Sequence, residues 1–178
     1  LFISHGDIVN YGPWSNECVQ LLESISNCVL LKGNHEENFI KGEYEGKNEI
    51  ANAFFNFCFP NFNPKLIDDI DKYKNHYILN DYLIQHTINN QYVFLDTNLE
   101  NIEVESNLIF GHSHQQFKRK KEEFNLINTG SLGQNRSNIN QSCYIKLNTE
   151  TNEIELKFFI HDIDKVINQM KNDKYPEI

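Results

Sequence analysis

The sequence predicts an α/β (α+β) fold in which two packed sheets carry helices on their outer faces. Three observations predict it. Strand and helix signals alternate over the first part of the chain, strand signals dominate from His76 onward, and no linker or internal repeat interrupts the 178 residues. A chain of this length buries roughly 70% of the surface it exposes when unfolded, enough for one domain spanning the whole sequence.

The elements follow in order. Leu1-Phe2-Ile3-Ser4 is an apolar run ending in His5-Gly6-Asp7, the pattern of a buried strand that delivers a loop. Ser15 caps a helix whose apolar face is Val19, Leu22 and Ile25. Cys28-Val29-Leu30-Leu31 is a second buried strand, broken by Gly33. Helices are expected over residues 50–57 and 64–73, with Pro64 suited to a first helical position behind Asn63. Residues 77–79 and 82–84 flank Asn80-Asp81, the composition of a tight turn. Further strands are expected at residues 92–95, 108–110, 118–127, 142–147 and 154–160. Asp162 then caps a last amphipathic helix carrying Ile163, Val166, Ile167 and Met170.

Charge narrows the function classes. The net charge is −9, and the one basic cluster, Lys118-Arg119-Lys120-Lys121, is followed at once by Glu122-Glu123. That is a solvated hairpin, not a clear nucleic-acid surface. An acidic protein can still take phosphate esters, provided cations sit in its site. Cys18, Cys28, Cys58 and Cys143 show no C-x-x-C pairing and sit among apolar residues, as buried free thiols do in a reducing cytoplasm. No run approaches the ~18 apolar residues of a membrane span, and no signal peptide is visible.

Four segments carry chemistry: Gly6-Asp7, Gly33-Asn34-His35-Glu36, His86, and Gly111-His112-Ser113-His114. Each follows an apolar strand, where the carboxyl end meets a loop and α/β sheets place their ligands. A lone G-D or a lone His86 is most simply structural. Two imidazoles at i and i+2 after a strand are a stronger signal. The ordered set supplies a carboxylate, an amide oxygen and imidazoles, a mixed N/O donor set suited to borderline divalent ions and unlike a calcium site. His76 and His161 lack any such context, and Asp68, Asp69 and Asp71 have the spacing of a solvated helix face. The aromatic run Phe54, Phe55, Phe57, Phe59 and Phe62 is foremost core, with a lid over the site or a face for a homo-oligomer left open.

With these residues in view, the chain resembles the calcineurin-like metallophosphoesterase family, its small bacterial and archaeal phosphodiesterase branch above all. The resemblance rests on G-D-I-V-N-Y-G-P at Gly6 to Pro13, G-N-H-E at Gly33 to Glu36, G-H-S-H at Gly111 to His114 and N-T-G-S-L-G-Q-N-R at Asn128 to Arg136. It implies a two-sheet β-sandwich flanked by helices and two divalent ions drawn from Mn, Fe, Ni, Zn or Mg. By that resemblance Asp7 bridges the two ions, Asn34, His86 and His112 complete the second, and His114 belongs to the first. His35 would contact the substrate phosphate and help the leaving group depart. Where the family usually shows His-Gly, this chain has His86-Thr87. The family also opens with an Asp-x-His motif that nothing before Asp7 supplies; since the chain begins at Leu1 rather than Met, a first strand and helix are expected upstream of residue 1.

The implied activity is hydrolysis of a small phosphate ester, preferentially a diester, by a hydroxide shared between ions ~3.5–4 Å apart. Arg136 offers a planar grip on phosphate or pairs with a structural carboxylate, and Asn10 either reaches substrate or shapes the turn before Pro13. A phosphomonoesterase or protein phosphatase, and a scaffold that keeps the fold without catalysis, are the competing readings.

Overall fold

In the computed structural model, which describes residues 1–177, β1 (Phe2–Ser4) and β2 (Cys28–Leu30) pair in parallel, with Ile3 opposite Val29. α1 (Ser15–Ser24) connects them and buries Val19. These elements belong to the first of two units, Leu1–Lys74 with the segment from Asp162 onward; the second is Asn75–His161. Ser15 is the first residue of α1, behind an N-cap at Trp14, and not the expected cap. Its hydroxyl is engaged elsewhere, accepting the Asn10 N–H at 3.1 Å.

α2 (Asn34–Lys41) was not anticipated. It is only eight residues long, and its N-cap is Gly33, which has no side chain to announce a helix start. It ends at Gly42, whose left-handed φ of 76° lets its N–H close on the Asn38 carbonyl at 2.9 Å. α3 (Glu49–Cys58) is capped by Asn48, which accepts the Ala51 N–H. The helix expected over residues 64–73 is broken into a 3₁₀ turn at Pro64–Leu66 and α4 (Ile67–Ile70). Pro64 does open the turn behind Asn63, whose side chain accepts the Lys65 N–H. α5 (Ile163–Asn172) starts behind Asp162 as expected, although that side chain makes no capping bond.

Packing of this unit centres on Phe39, 1% exposed, against which Phe55, Phe59 and Phe62 stand edge-on at centroid distances of 5.5, 5.5 and 5.1 Å. Edge-to-face geometry aligns ring edges with the negative ring face, so the cluster is held by more than area alone. Val9, Val19 and Ile70 complete the core. Phe55, Phe59 and Phe62 are therefore core with Phe57 packed against them, whereas Phe54 is half-buried and lies against the Tyr11 ring at 5.2 Å.

The second unit holds a five-stranded sheet of β3 (His76–Leu79), β4 (Tyr82–Gln85), β5 (Asn107–Phe110), β6 (Gln116–Lys121) and β7 (Phe124–Thr129), in the order β3-β4-β5-β7-β6. β3 and β4 form the expected hairpin, with Asn80 at φ 55° in its turn. The single strand expected over residues 118–127 is a hairpin, turning at Glu122 with φ 53°. The sheet is mixed, because β4–β5 and β5–β7 pair in parallel. That pairing sends the carboxyl ends of three strands to one edge. Residues 92–95 are irregular and not a strand. β8 (Gln141–Leu147) and β9 (Ile154–Ile160) form a separate antiparallel pair. Leu108, Phe110, Phe117 and Leu126 anchor this unit's core with Ile88 and Val93.

The architecture is thus mixed α/β with several sheets and helices. All four cysteines are free thiols; Cys58 and Cys143 are buried as expected, whereas Cys18 is exposed on α1. No described helix is long and apolar enough to cross a membrane.

Candidate metal centre

Asp7 lies just beyond β1, after Gly6. A Cβ on Gly6, at φ 101°, would sit 2.3 Å from the Gly33 nitrogen, so the loops after β1 and β2 touch backbone to backbone only because residue 6 is glycine. What holds the two loops together is Glu36, fully buried in the first turn of α2. Its carboxylate accepts the N–H groups of Asp7 at 2.8 Å, Ile8 at 2.7 Å, Val9 at 3.1 Å and Gly33 at 2.7 Å. The Gly33 bond is the glutamate half of a capping box; the other three run to a segment 27 to 29 residues away. With its main chain fixed in this way, Asp7 receives the His35 N–H on Oδ1 at 3.3 Å.

Asn34 opens α2, and His35 is 5% exposed. The Asn10 amide nitrogen lies 3.1 Å from His35 Nδ1, and the Tyr11 ring meets the imidazole edge-on at 4.9 Å. An Nδ1 that accepts from an amide leaves the ring proton on Nε2. Asn10 Oδ1 is buried with no hydrogen-bond partner. A native structure rarely strands such an atom, which makes it an acceptor in waiting.

In the second unit, β4 delivers His86 and β5 delivers Gly111-His112-Ser113-His114 to the shared carboxyl edge. Gly111 N–H donates to the His86 carbonyl at 3.1 Å. Asn128, on β7 and fully buried, donates to the Gly111 carbonyl at 2.7 Å and to Ser113 Oγ at 2.9 Å. Ser113 Oγ in turn donates to the Val93 carbonyl. The two histidines flanking Ser113, both buried, thereby sit on a loop tied down on both sides. His114 Nδ1 donates to the Gln134 carbonyl at 3.1 Å, which makes Nε2 the acceptor nitrogen. Arg136 reaches the same histidine through its backbone, donating to the His114 carbonyl, while its side chain is exposed.

His86 Nε2 and His112 Nδ1 stand 3.1 Å apart. Two imidazole nitrogens on one ion at ~2.0–2.1 Å are necessarily separated by roughly 3 Å when adjacent in its coordination sphere, so the pair fits a shared cation as the residues stand. The donor chemistry agrees: carboxylate, amide oxygen and imidazole suit borderline divalent metals.

Backbone strain concentrates in the same segments. Asp7, Asn10, Tyr11, His112 and His114 all have positive φ, between 56° and 75°. Such conformations cost ~1–3 kcal/mol each and persist where the surroundings over-determine them, typically at functional sites. The buried thiols are no rivals for catalysis: burial pushes both Cys58 and Cys143 up from their ordinary values, against weaker opposing hydrogen bonds.

Three contributors escaped the sequence reading. Glu36 stood inside a quoted motif with no role, and its glycine N-cap hid the capping signal. Asn128 likewise had no local signal, since its partners lie on another strand. Tyr92, expected in a strand, instead stacks on His112 at 3.9 Å with a 27° angle between rings.

Comparison with known proteins adds four findings. Residues 1–116 match the family described as calcineurin-like phosphoesterase. The chain is 28% identical over 198 residues to the uncharacterized protein MJ0912 of Methanocaldococcus jannaschii, covering 97% of this chain and 81% of that one. Its fold is similar to a metallophosphoesterase from Sphaerobacter thermophilus, with TM-score 0.77 and 19% identity over 97% of this chain and 82% of the other. The hypothetical protein PH1004 from Pyrococcus horikoshii OT3 is similar in fold too, with TM-score 0.80 and 11% identity over 98% and 81% of the two chains.

Proposed function

The chain belongs to the calcineurin-like phosphoesterase family, and from that premise we propose that it is a metal-dependent hydrolase of small phosphate esters with a preference for diesters. Asp7, Asn34, His86, His112 and His114 are the residues we assign to two divalent ions, within the family's two-sheet sandwich flanked by helices. The observation that carries the reading is the His86–His112 pair, whose nitrogens converge at a spacing that suits a common cation. When bound, such ions supply Lewis acidity and neutralise phosphate charge, which a chain of net charge −9 otherwise lacks.

The chain's own groups do the rest. His35 presents Nε2–H to the departing oxygen as acid or hydrogen-bond donor, with Asn10 holding its Nδ1. The partnerless Asn10 Oδ1 accepts from a substrate hydroxyl or from water. Arg136 lies exposed, with its guanidinium available to a phosphate oxygen.

Parallel assays of the full chain on bis-p-nitrophenyl phosphate and p-nitrophenyl phosphate, with Mn, Fe, Ni, Zn or Mg supplied in turn, test the proposal. Hydrolysis of the diester is expected, abolished by chelation and by Asp7→Asn. Faster turnover of the monoester would shift the reading to a phosphomonoesterase. Absence of both metal retention and hydrolysis would leave the fold serving a binding role.

A further inference from the structure

The turn that carries Asn10 and Tyr11 to His35 depends on groups outside itself. Asn10 at φ 75° and Tyr11 at φ 56° are consecutive non-glycine residues in the left-handed region. The Gly12 N–H folds back on the Asn10 carbonyl at 2.6 Å, closing a three-residue turn centred on Tyr11. Such conformations persist only where the surroundings over-determine them. Much of that surrounding comes from a residue 163 positions away in the chain. The Tyr175 hydroxyl donates to the Gly12 carbonyl at 2.9 Å and accepts from the Cys58 thiol at 3.6 Å, and the Cys58 sulfur also takes the Tyr11 N–H. Its ring lies against Phe57 at 4.3 Å and Phe54 at 6.0 Å, and Phe54 in turn meets the Tyr11 ring at 5.2 Å. Burial pushes the Tyr175 hydroxyl up from its ordinary value, so it stays protonated and a donor.

The delivery of Tyr175 is itself built. After α5 the chain reverses at Lys174, whose φ of 59° is a conformation that glycine usually fills. The Lys174 N–H reaches the Lys171 carbonyl at 3.2 Å and the Tyr175 N–H the Met170 carbonyl at 3.0 Å, the paired bonds of a Schellman turn. From Tyr175 the route to His35 runs through Asn10, whose amide holds Nδ1, and Tyr11, whose ring stands edge-on to the imidazole. We propose that Tyr175 is a positioning residue for His35: by bracing residues 10–12 it keeps the Nε2–H aimed at the departing oxygen. This rests on the phosphoesterase reading and adds to it a residue far from any of the motifs.

Tyr175→Phe keeps the ring and its packing and removes only the hydroxyl. Metal-loaded full chain is assayed on methyl p-nitrophenyl phosphate and methyl phenyl phosphate, two diesters that differ in how much the leaving oxygen needs a proton. Tyr175→Phe should lower kcat on the phenyl ester roughly tenfold, about what one buried hydrogen bond is worth. The nitrophenyl ester should change little, with KM unchanged for both. In a His35→Ala background the substitution should add nothing, because the two residues act as one unit. No loss, equal losses on both esters, or a further loss in the double variant would overturn the proposal, the last two marking a merely structural role. Histidine ring-nitrogen NMR of the zinc-loaded chain gives a readout that needs no turnover. The wild type should show the His35 proton fixed on Nε2, and Tyr175→Phe should move both ring signals toward the average of the two tautomers. Shifted signals without diester turnover in the wild type keep the brace and remove the enzyme. Turnover with unshifted signals removes the brace and keeps the enzyme.

Discussion

Neighbouring residues in the G-N-H-E segment do opposite work. Glu36 gathers four backbone N–H groups inside the first unit and touches no solvent. Removing its carboxylate strands those donors, each at a cost of ~1–3 kcal/mol when left unpaired in the interior. Glu36→Ala should therefore lower stability by at least ~3 kcal/mol in urea unfolding, even in protein without metal. His35 is nearly as buried, but its contacts, the Asn10 amide and the Tyr11 ring edge, are those of an oriented donor. His35→Ala should slow diester turnover by ~10²–10⁴ while the urea midpoint changes little. An unchanged turnover would remove His35 from the reaction. A large stability loss in its place would make it a second Glu36.

At the scale of elements, loop geometry matters more than helix propensity. α2 is too short to persist alone, and its two ends are set by Gly33 and by Gly42 in the left-handed region. A Cβ at residue 42 would meet only the Phe59 ring, at 3.5 and 3.9 Å, which are ordinary contacts. Gly42→Ala should thus cost only the left-handed conformational penalty, ~1–2 kcal/mol by thermal unfolding. Gly6→Ala is a different case, because the new methyl meets main chain at 2.3 Å and a flexible side chain is not there to yield. The loops after β1 and β2 must separate, and metal retention by Asp7 should fall with them in equilibrium dialysis. Retention at the wild-type level would show that the Asp7 loop tolerates the displacement.

For the molecule as a whole, the proposed cations can be tested through folding stability. The chain carries a net charge of −9 and holds Asp7, His112 and His114 in positive-φ conformations. A ligand that binds only the folded state stabilises it by ~2.7 kcal/mol at a hundredfold excess over its dissociation constant. Mn²⁺ or Zn²⁺ at that excess should accordingly raise the unfolding temperature of the wild type by several degrees. The increment should vanish in Asp7→Asn and in His112→Ala. An equal increment in wild type and variants would assign the ions to surface sites instead.

The strand-end motifs, the helix over Ser15–Ser24, the β3–β4 hairpin and the final helix were all legible along the chain, because each is a local pattern of apolar spacing and turn residues. The proposed ligands Asp7, Asn34, His86, His112 and His114 could be singled out for the same reason: each lies just beyond the end of β1, β2, β4 or β5. Three things could not be seen there: the parallel order β4-β5-β7, the Glu36 clasp across 27 to 29 residues, and the Asn128 anchor from a neighbouring strand. The stacking of Tyr92 on His112 was equally hidden. Each depends on which distant segment the folded chain brings alongside, and hydrogen bonds and ring contacts between distant segments leave no periodicity in the residues that make them.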